Sequence, residues 1–219
     1  MSTRAILPAK SFGEAKQRLA DGMSAGPRRV LAEAMFSDVL TALRRARSVD
    51  EIVVVSSDSS AQQIAGGHGA AILEDETKGH SEAATMAIVE ALEAGVARVL
   101  LVPGDCPLLD PKELDALLAR PEDERMAVIV PDLAGTGTNA LLLSPPDVLA
   151  PSFGPDSCAR HAAHARAAGT PYEIVAVPTL ALDVDTPEDL QRLKAQLEQT
   201  HGGAAHTRGM LNQFTRSSL

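Results

Sequence analysis

Aromatic residues are scarce in this chain: among 219 residues there is no Trp, one Tyr and four Phe. Platforms that stack unpaired bases are built from aromatics, so that class of function is excluded. Cysteine is nearly absent too. Cys106 and Cys158 alone make neither a disulfide framework nor a zinc-ligand spacing. Positive charge is in deficit, with 20 Lys and Arg against 29 Asp and Glu, and a net charge of -9 disfavours a nucleic-acid backbone as partner. No apolar run reaches transmembrane length, and residues 1–10 enter a strand pattern with no apolar signal segment. Neither a membrane nor nucleic acid is expected as a partner, and the cytoplasm is the expected location. The Gly-Lys-Ser/Thr ending of a Walker loop is missing, as is the dinucleotide glycine fingerprint.

What is present is a chain with 45% hydrophobic residues, enough for one sizeable α/β core. Residues 1–198 read as one domain. Residues 199–219 are polar and rich in Gly, Ser and Thr, and are expected to form a weakly ordered tail. The central feature is Val99-Leu100-Leu101-Val102, which runs straight into Pro103-Gly104-Asp105. A short, wholly apolar run bounded by Pro and Gly predicts a buried central strand. Ligands in open α/β sheets bind beyond the carboxyl ends of such strands, which makes Asp105 a candidate metal-holding carboxylate. The competing role for Asp105 is a helix N-cap, since a helix can open near Pro107.

Other strands are predicted at Ala5 to Pro8, Glu51 to Ser56, Ala70 to Leu73, Met126 to Val130, Ala140 to Leu143, Ile174 to Val177 and Leu180 to Val184. Helical spacing appears over 27–46, 61–66, 82–94, 112–118, 158–168 and from Pro187 onward. The β-α-β-α-β order at the start predicts a nucleotide-binding half-sheet with right-handed crossovers. The loop after the first strand carries Lys10, Lys16 and Arg18, either a phosphate grip or a solvated basic loop. Ser81 is a predicted N-cap beside His80, and Glu82 either contacts a base or ribose or complements the helix dipole. The loop from Leu133 to Asn139 combines glycines with Thr136 and Thr138, either close to a ligand or as a plain hairpin loop. Asp156 or Ser157 is the expected cap of the helix from Cys158, and its N-terminus is a candidate anion site with Gly154 nearby. Arg160 and His161 in its first turn are unfavourable for the dipole unless an anion is bound. Asp183 and Asp185 have period-two spacing and so face one way in an extended segment, as a second metal arm or as surface and capping carboxylates.

Taken together, Leu7-Pro8-Ala9-Lys10, Ala15-Lys16-Gln17-Arg18-Leu19, Pro103-Gly104-Asp105-Cys106-Pro107, Gly137-Thr138-Asn139-Ala140, Phe153-Gly154-Pro155-Asp156-Ser157 and Leu182-Asp183-Val184-Asp185-Thr186-Pro187 resemble the guanylyltransferases of coenzyme F-420 biosynthesis. Its best-known members act on 2-phospho-L-lactate or phosphoenolpyruvate. The resemblance implies a single-domain, Rossmann-like nucleotidyltransferase fold of the glycosyltransferase-A type, an α/β arrangement with a mixed, mostly parallel sheet. It implies GTP and a small phosphorylated three-carbon acid as substrates, Mg²⁺ as cofactor, and pyrophosphate as product. By motif position, Thr138, Gly154 and Ser157 hold the acid's phosphate, Asp105 with Asp183 and Asp185 holds the metal, and Lys10, Lys16 and Arg18 meet the nucleotide phosphates, with Ser81 and Glu82 on the nucleotide side. Many members carry Leu-Asn-Ala-Ala where this chain has Ser81-Glu82-Ala83-Ala84, so the nucleotide contact there is expected to differ. Phosphoenolpyruvate is the favoured acceptor, with 2-phospholactate, 3-phosphoglycerate, another nucleotidyl transfer on the same fold, or a silent nucleotide-binding regulator as alternatives. A homodimer is compatible with the sequence but not required by it.

Overall fold

The computed structural model describes residues 2–13, 16–20, 23–75, 77, 79–120 and 125–217, without the side chains of 215–217. Ala15 of the second motif lies outside the described residues. Among the described residues seven strands form one sheet: β1 (Thr3–Pro8), β2 (Glu51–Val55), β3 (Ala71–Leu73), β4 (Arg98–Leu101), β5 (Met126–Pro131), β6 (Thr138–Ser144) and β7 (Tyr172–Ile174). Their order across the sheet is β3-β2-β1-β4-β6-β5-β7. β1 runs parallel to β2 and β4, β2 to β3, and β5 to β7. Only β6 is reversed, antiparallel to β4 and β5. A sheet of this kind, covered on both faces, has apolar residues on both sides of each central strand, which is why β1, β2 and β4 read as continuous apolar runs.

The helices are α1 (Ala25–Arg45), α2 (Ser59–Gly67), α3 (His80–Glu93), α4 (Pro111–Leu118), α5 (Ser157–Ala167), α6 (Pro187–Gln199) and α7 (Ala205–Ser217). Strand side chains alternate between two cores. Ala5, Leu7, Leu100 and Val128 join Phe36, Leu40 and Leu114 on one face. Ile6, Val99, Leu101 and Ile129 join Ala84, Ile88 and Ala162 on the other. A third cluster sits beyond the sheet, where Leu31 and Met35 of α1 meet Leu182, Val184, Leu193 and Met210.

Several boundaries differ from expectation for local reasons. α3 begins at His80 with Gly79 as its cap, not at Glu82 with Ser81 as cap. The Ser81 hydroxyl instead accepts the Phe153 N–H at 2.9 Å. No strand forms over 180–184. A short 3-10 helix covers Pro178–Leu180, and Leu182 and Val184 are buried in the third cluster without a ladder. The tail is also unlike its expectation. After a turn at 200–204, α7 packs on α1, with Thr207 and Met210 buried. Its first N–H groups find a carboxylate far back in the chain: His206 and Thr207 donate to buried Asp38 of α1 at 3.0 and 2.8 Å.

Candidate functional site

The carboxyl end of β4 opens onto a cleft of about 850 Å³, and that of β1 onto a smaller pocket beside it. β4 ends at Leu101, and the chain turns through Pro103 and Gly104 to present Asp105. Gly104 is needed here: a Cβ at this position would lie 2.6 Å from the Phe36 ring. Asp105 caps no helix, because Asp110 accepts the Lys112 and Glu113 N–H groups at the start of α4. That removes the N-cap alternative for Asp105.

The arm carrying Asp183 and Asp185 is tied directly to this turn. Val184 N–H donates to the Asp105 carbonyl at 3.2 Å. Asn139, almost fully buried, donates its amide to the carbonyls of Leu180 (2.8 Å) and Ala181 (3.2 Å) and to Asp183 Oδ1 (3.1 Å). The three aspartates therefore line one cleft although no strand runs through 183–185. Period-two spacing reported the facing side correctly and the hydrogen bonding incorrectly.

Lys16 Nζ lies between two of these carboxylates. It is hydrogen-bonded to Asp105 Oδ2 and lies 2.9 Å from Asp185 Oδ1. Burial alone would lower its pKa, but the charges of Asp105 and Asp185 raise it, so the ammonium is retained. For Asp185, burial pushes the pKa up, yet Lys16 by charge and hydrogen bond, with Arg18 beyond it, brings it below the usual value. Asp183 has no such cation. Burial, and then the charge of Asp105, push its carboxyl up. One oxygen of Asp105, Oδ1, is buried with no hydrogen-bond partner among the described residues.

Of the other two basic residues of the first loop, Arg18 shares Asp185 with Lys16, and Lys10 takes a different carboxylate. Arg18 is exposed at the mouth, 3.8 Å from Asp185. Lys10 pairs with Asp75 at 3.2 Å and, together with Lys16, lines the smaller adjoining pocket of about 210 Å³. That pocket is walled by Ala9, Phe12, Ala32 and Phe36, and shares His80, Pro103 and Asp105 with the main cleft. Ser81 and Glu82 line the main cleft from the start of α3.

Thr138, Gly154 and Ser157 also line the main cleft. Thr138 opens β6 where the register shifts between Val130 and Pro131, a bulge of the kind that re-aims a side chain. Gly154 has φ +112, a conformation that L side chains rarely adopt. The α5 N-terminus is less open than the sequence suggests. Ser157 N–H donates to the Gly154 carbonyl at 3.1 Å, and Cys158 N–H to the Thr136 carbonyl at 3.0 Å. Asp156 adopts a left-handed conformation before the helix, and its side chain makes no cap bond. Arg160 does not point its charge into the cleft as a free group: it donates to the carbonyls of Ser152 (2.9 Å), Phe153 (3.2 Å) and Pro155, and to Ser152 Oγ. His161 is fully buried, and burial, with Arg160 and His164 nearby, lowers its pKa to about 4. It is a neutral ring, not the positive charge its place in the helix suggested. The sequence marked Asn139 only as part of a motif. Its role in holding Asp183 had no local signal.

Residues 3–217 match the family described as guanylyl transferase CofC like. The chain belongs to this family. It is 54% identical over 220 residues to the phosphoenolpyruvate guanylyltransferase of Conexibacter woesei, covering 100% of this chain and 99% of that protein. It is 34% identical over 201 residues to the 2-phospho-L-lactate guanylyltransferase of Methanothermobacter thermautotrophicus, covering 92% of this chain and 88% of that protein. Among solved structures, a putative nucleotide-diphospho-sugar transferase from Desulfovibrio desulfuricans G20 superposes with a TM-score of 0.77 at 19% identity, over 97% of this chain and 95% of that one. A likeness of that kind carries the fold alone, and it agrees with the single-domain, mostly parallel nucleotidyltransferase sheet described above. No helix of the described residues is long and apolar enough to cross a membrane.

Proposed function

We propose that this protein transfers the guanylyl group of GTP to the phosphate of a small three-carbon acid, phosphoenolpyruvate first, with release of pyrophosphate, as a step of coenzyme F-420 biosynthesis in the cytoplasm. The observation that carries the proposal is the lining of one cleft, which gathers Arg18, the carboxylates of Asp105, Asp183 and Asp185, and the hydroxyls of Thr138 and Ser157, with Lys16 paired to Asp105 and Asp185 from the adjoining pocket. The names of the relatives favour phosphoenolpyruvate as the acceptor.

In this reaction a phosphate oxygen of the acceptor forms a bond to the α-phosphorus of GTP as the bond to pyrophosphate breaks. The nucleophile is already an oxyanion, so no general base has to remove a proton. Rate then comes from holding two anions in line and stabilising the charge that develops. Thr138, Ser157 and the backbone at Gly154 hold and orient the acceptor. Lys16 and Arg18 face the nucleotide phosphates, and Lys10, which lines the adjoining pocket with Lys16, adds positive charge beside them. Ser81 and Glu82 flank the nucleotide at the start of α3.

The donor set also fits a divalent cation. The described residues contain no ready cluster of three or more His, Cys, Asp or Glu able to hold a metal. What they offer is two carboxylates, Asp105 with an oxygen left without a partner and Asp183 destabilised by burial and then by the charge of Asp105. Mg²⁺ is commonly bound by one or two carboxylates with substrate phosphates completing its shell. Asp105 and Asp183 would hold it, while Asp185 is engaged by Lys16 and Arg18. When bound it would neutralise phosphate charge at the reacting centre. The test is to supply Mg²⁺ with each pairing of GTP, ATP or CTP and phosphoenolpyruvate, 2-phospholactate or 3-phosphoglycerate, and to weigh the products. Guanylylated phosphoenolpyruvate and pyrophosphate are expected. Pyrophosphate from none of the pairings would leave a nucleotide-binding regulator, and preference for another base would reassign the enzyme.

A further inference from the structure

His161 touches both halves of the acceptor side of the cleft. Its Nε2 lies 2.8 Å from the backbone nitrogen of Ser152, and its Nδ1 lies 3.0 Å from Thr138 Oγ1. A backbone N–H can only donate, so Nε2 must accept and carries no proton. In a neutral ring the single proton is then on Nδ1, and Nδ1–H donates to the Thr138 hydroxyl oxygen. A cationic ring would set an Nε2–H against the Ser152 N–H. Burial and the nearby Arg160 guanidinium also keep the ring neutral.

The consequence falls on Thr138. A hydroxyl has one proton and two lone pairs. With one lone pair committed to Nδ1–H, its own proton is free to turn outward, into the cleft that Thr138 lines. In the opposite tautomer the hydroxyl would give its proton to Nδ1 and present lone pairs to the cleft. That would repel an oxyanion. Hydrogen bonds from a neutral donor to a charged acceptor are among the stronger ones in proteins, so the orientation of this one proton matters.

We propose that His161 is a positioning residue: fixed as the Nδ1–H tautomer by the Ser152 amide, it presents the Thr138 hydroxyl as a donor to the phosphate of the acceptor acid. The inference rests on the reading above that Thr138 contacts that phosphate. His161 also stands edge-on to Phe153, with ring centroids 5.4 Å apart, and so helps hold the loop that supplies Gly154. A purely structural role would predict the same loss for any polar replacement. The proposed role does not.

Asn and Gln separate the two functions of the ring. The amide nitrogen of Asn falls near Nδ1 and can still donate to Thr138. The amide oxygen of Gln reaches toward Nε2 and can accept from Ser152, but leaves no donor beside Thr138. His161→Gln is expected to raise the KM for phosphoenolpyruvate on the order of tenfold with the KM for GTP unchanged, and His161→Asn to restore most of that loss. Thr138→Val is expected to raise the same KM, and combining it with His161→Gln to add little more. In the wild-type protein, nitrogen NMR of the His161 ring is expected to show the proton on Nδ1, and this needs no variant to fold. A proton on Nε2, or a cationic ring at neutral pH, overturns the proposal. So does a raised KM in Thr138→Val with no change in His161→Gln. An unchanged KM in Thr138→Val removes Thr138 from the acceptor site, and the proposal with it, even if the tautomer is as described.

Discussion

Lys16 Nζ lies 2.9 Å from Asp185 Oδ1, although the two residues are 169 positions apart. Lys16 reaches this place from a left-handed backbone conformation, φ 58, which costs energy for a residue with a Cβ. The nearly buried ammonium offsets that cost by pairing with Asp185 and Asp105 at once. The first loop and the last arm of the domain are thus joined across the mouth of the cleft by charge.

Replacing Lys16 with Met should lower turnover by two orders of magnitude or more, since both carboxylates lose their counter-ion beside the reacting phosphates. It should also cost about 2 kcal/mol of stability. That is less than the figure for a fully buried pair, because Asp185 remains 43% exposed. The cost should depend on pH. Asp185 has a folded pKa below its ordinary 3.8, so the stability it contributes is present above that value and is lost as the pH falls through the folded pKa. Thermal melts of wild type and variant should therefore converge in acid and separate at neutral pH.

Asp183 has the opposite sign. Burial and then Asp105 raise its folded pKa above 3.8. Its favourable contribution is present below pH 3.8 and is lost as the pH rises through the folded pKa, so the ionised carboxylate is a net cost at neutral pH. Asp183→Asn keeps an oxygen to accept from Asn139 and removes the charge. It should melt at a higher temperature than wild type at pH 7 while losing activity by two orders of magnitude or more. Mg²⁺ with GTP should raise the melting temperature of wild type and have much less effect on the variant.

Much of this arrangement was legible in the sequence. The strands β1, β2, β4, β5 and β6 were marked because they are buried on both faces and so read as unbroken apolar runs. Asp105 was marked by the Pro-Gly turn that ends such a run. Where the pattern misleads, burial imitates a strand: Leu180, Leu182 and Val184 alternate because each packs into a core, Leu180 under the sheet and the other two in the third cluster, with no strand partner. Pairings distant in sequence left no local trace. Nothing near Lys16 signals Asp105 or Asp185, and nothing near His161 shows that Ser152 and Thr138 hold a neutral ring.

The helix at the C-terminus was hidden for the same reason. Ala204, the residue before α7, has no side chain able to cap, and the carboxylate that does so is Asp38, 168 positions before His206. Asp38→Ala leaves the N–H groups of His206 and Thr207 without that partner at the α1 contact. A loss of about 2 kcal/mol is expected, or roughly 4–8 °C in melting temperature for a chain of this size. Amide exchange should quicken across α7 first, with KM values for both substrates unchanged.

Gly154 offers the most direct test of the acceptor side. Its φ of +112 strains any L residue placed there, by about 1–3 kcal/mol. The backbone around it is held by Arg160 through the carbonyls of Ser152, Phe153 and Pro155, and by the Ser157 N–H on the Gly154 carbonyl. Alanine at 154 must therefore either carry the strain or shift this loop, and a shift displaces Ser157 relative to Thr138. The KM for the phosphorylated acid should rise about tenfold or more while the KM for GTP stays within about twofold. Gly95 provides the matched control. It also has positive φ, at +71, but lies in the turn between α3 and β4, at the opposite end of the sheet. Gly95→Ala should destabilise to a similar extent and leave both KM values alone. Equal effects of the two variants on the acid's KM would mean that general loosening, not the geometry at Gly154, sets acceptor affinity.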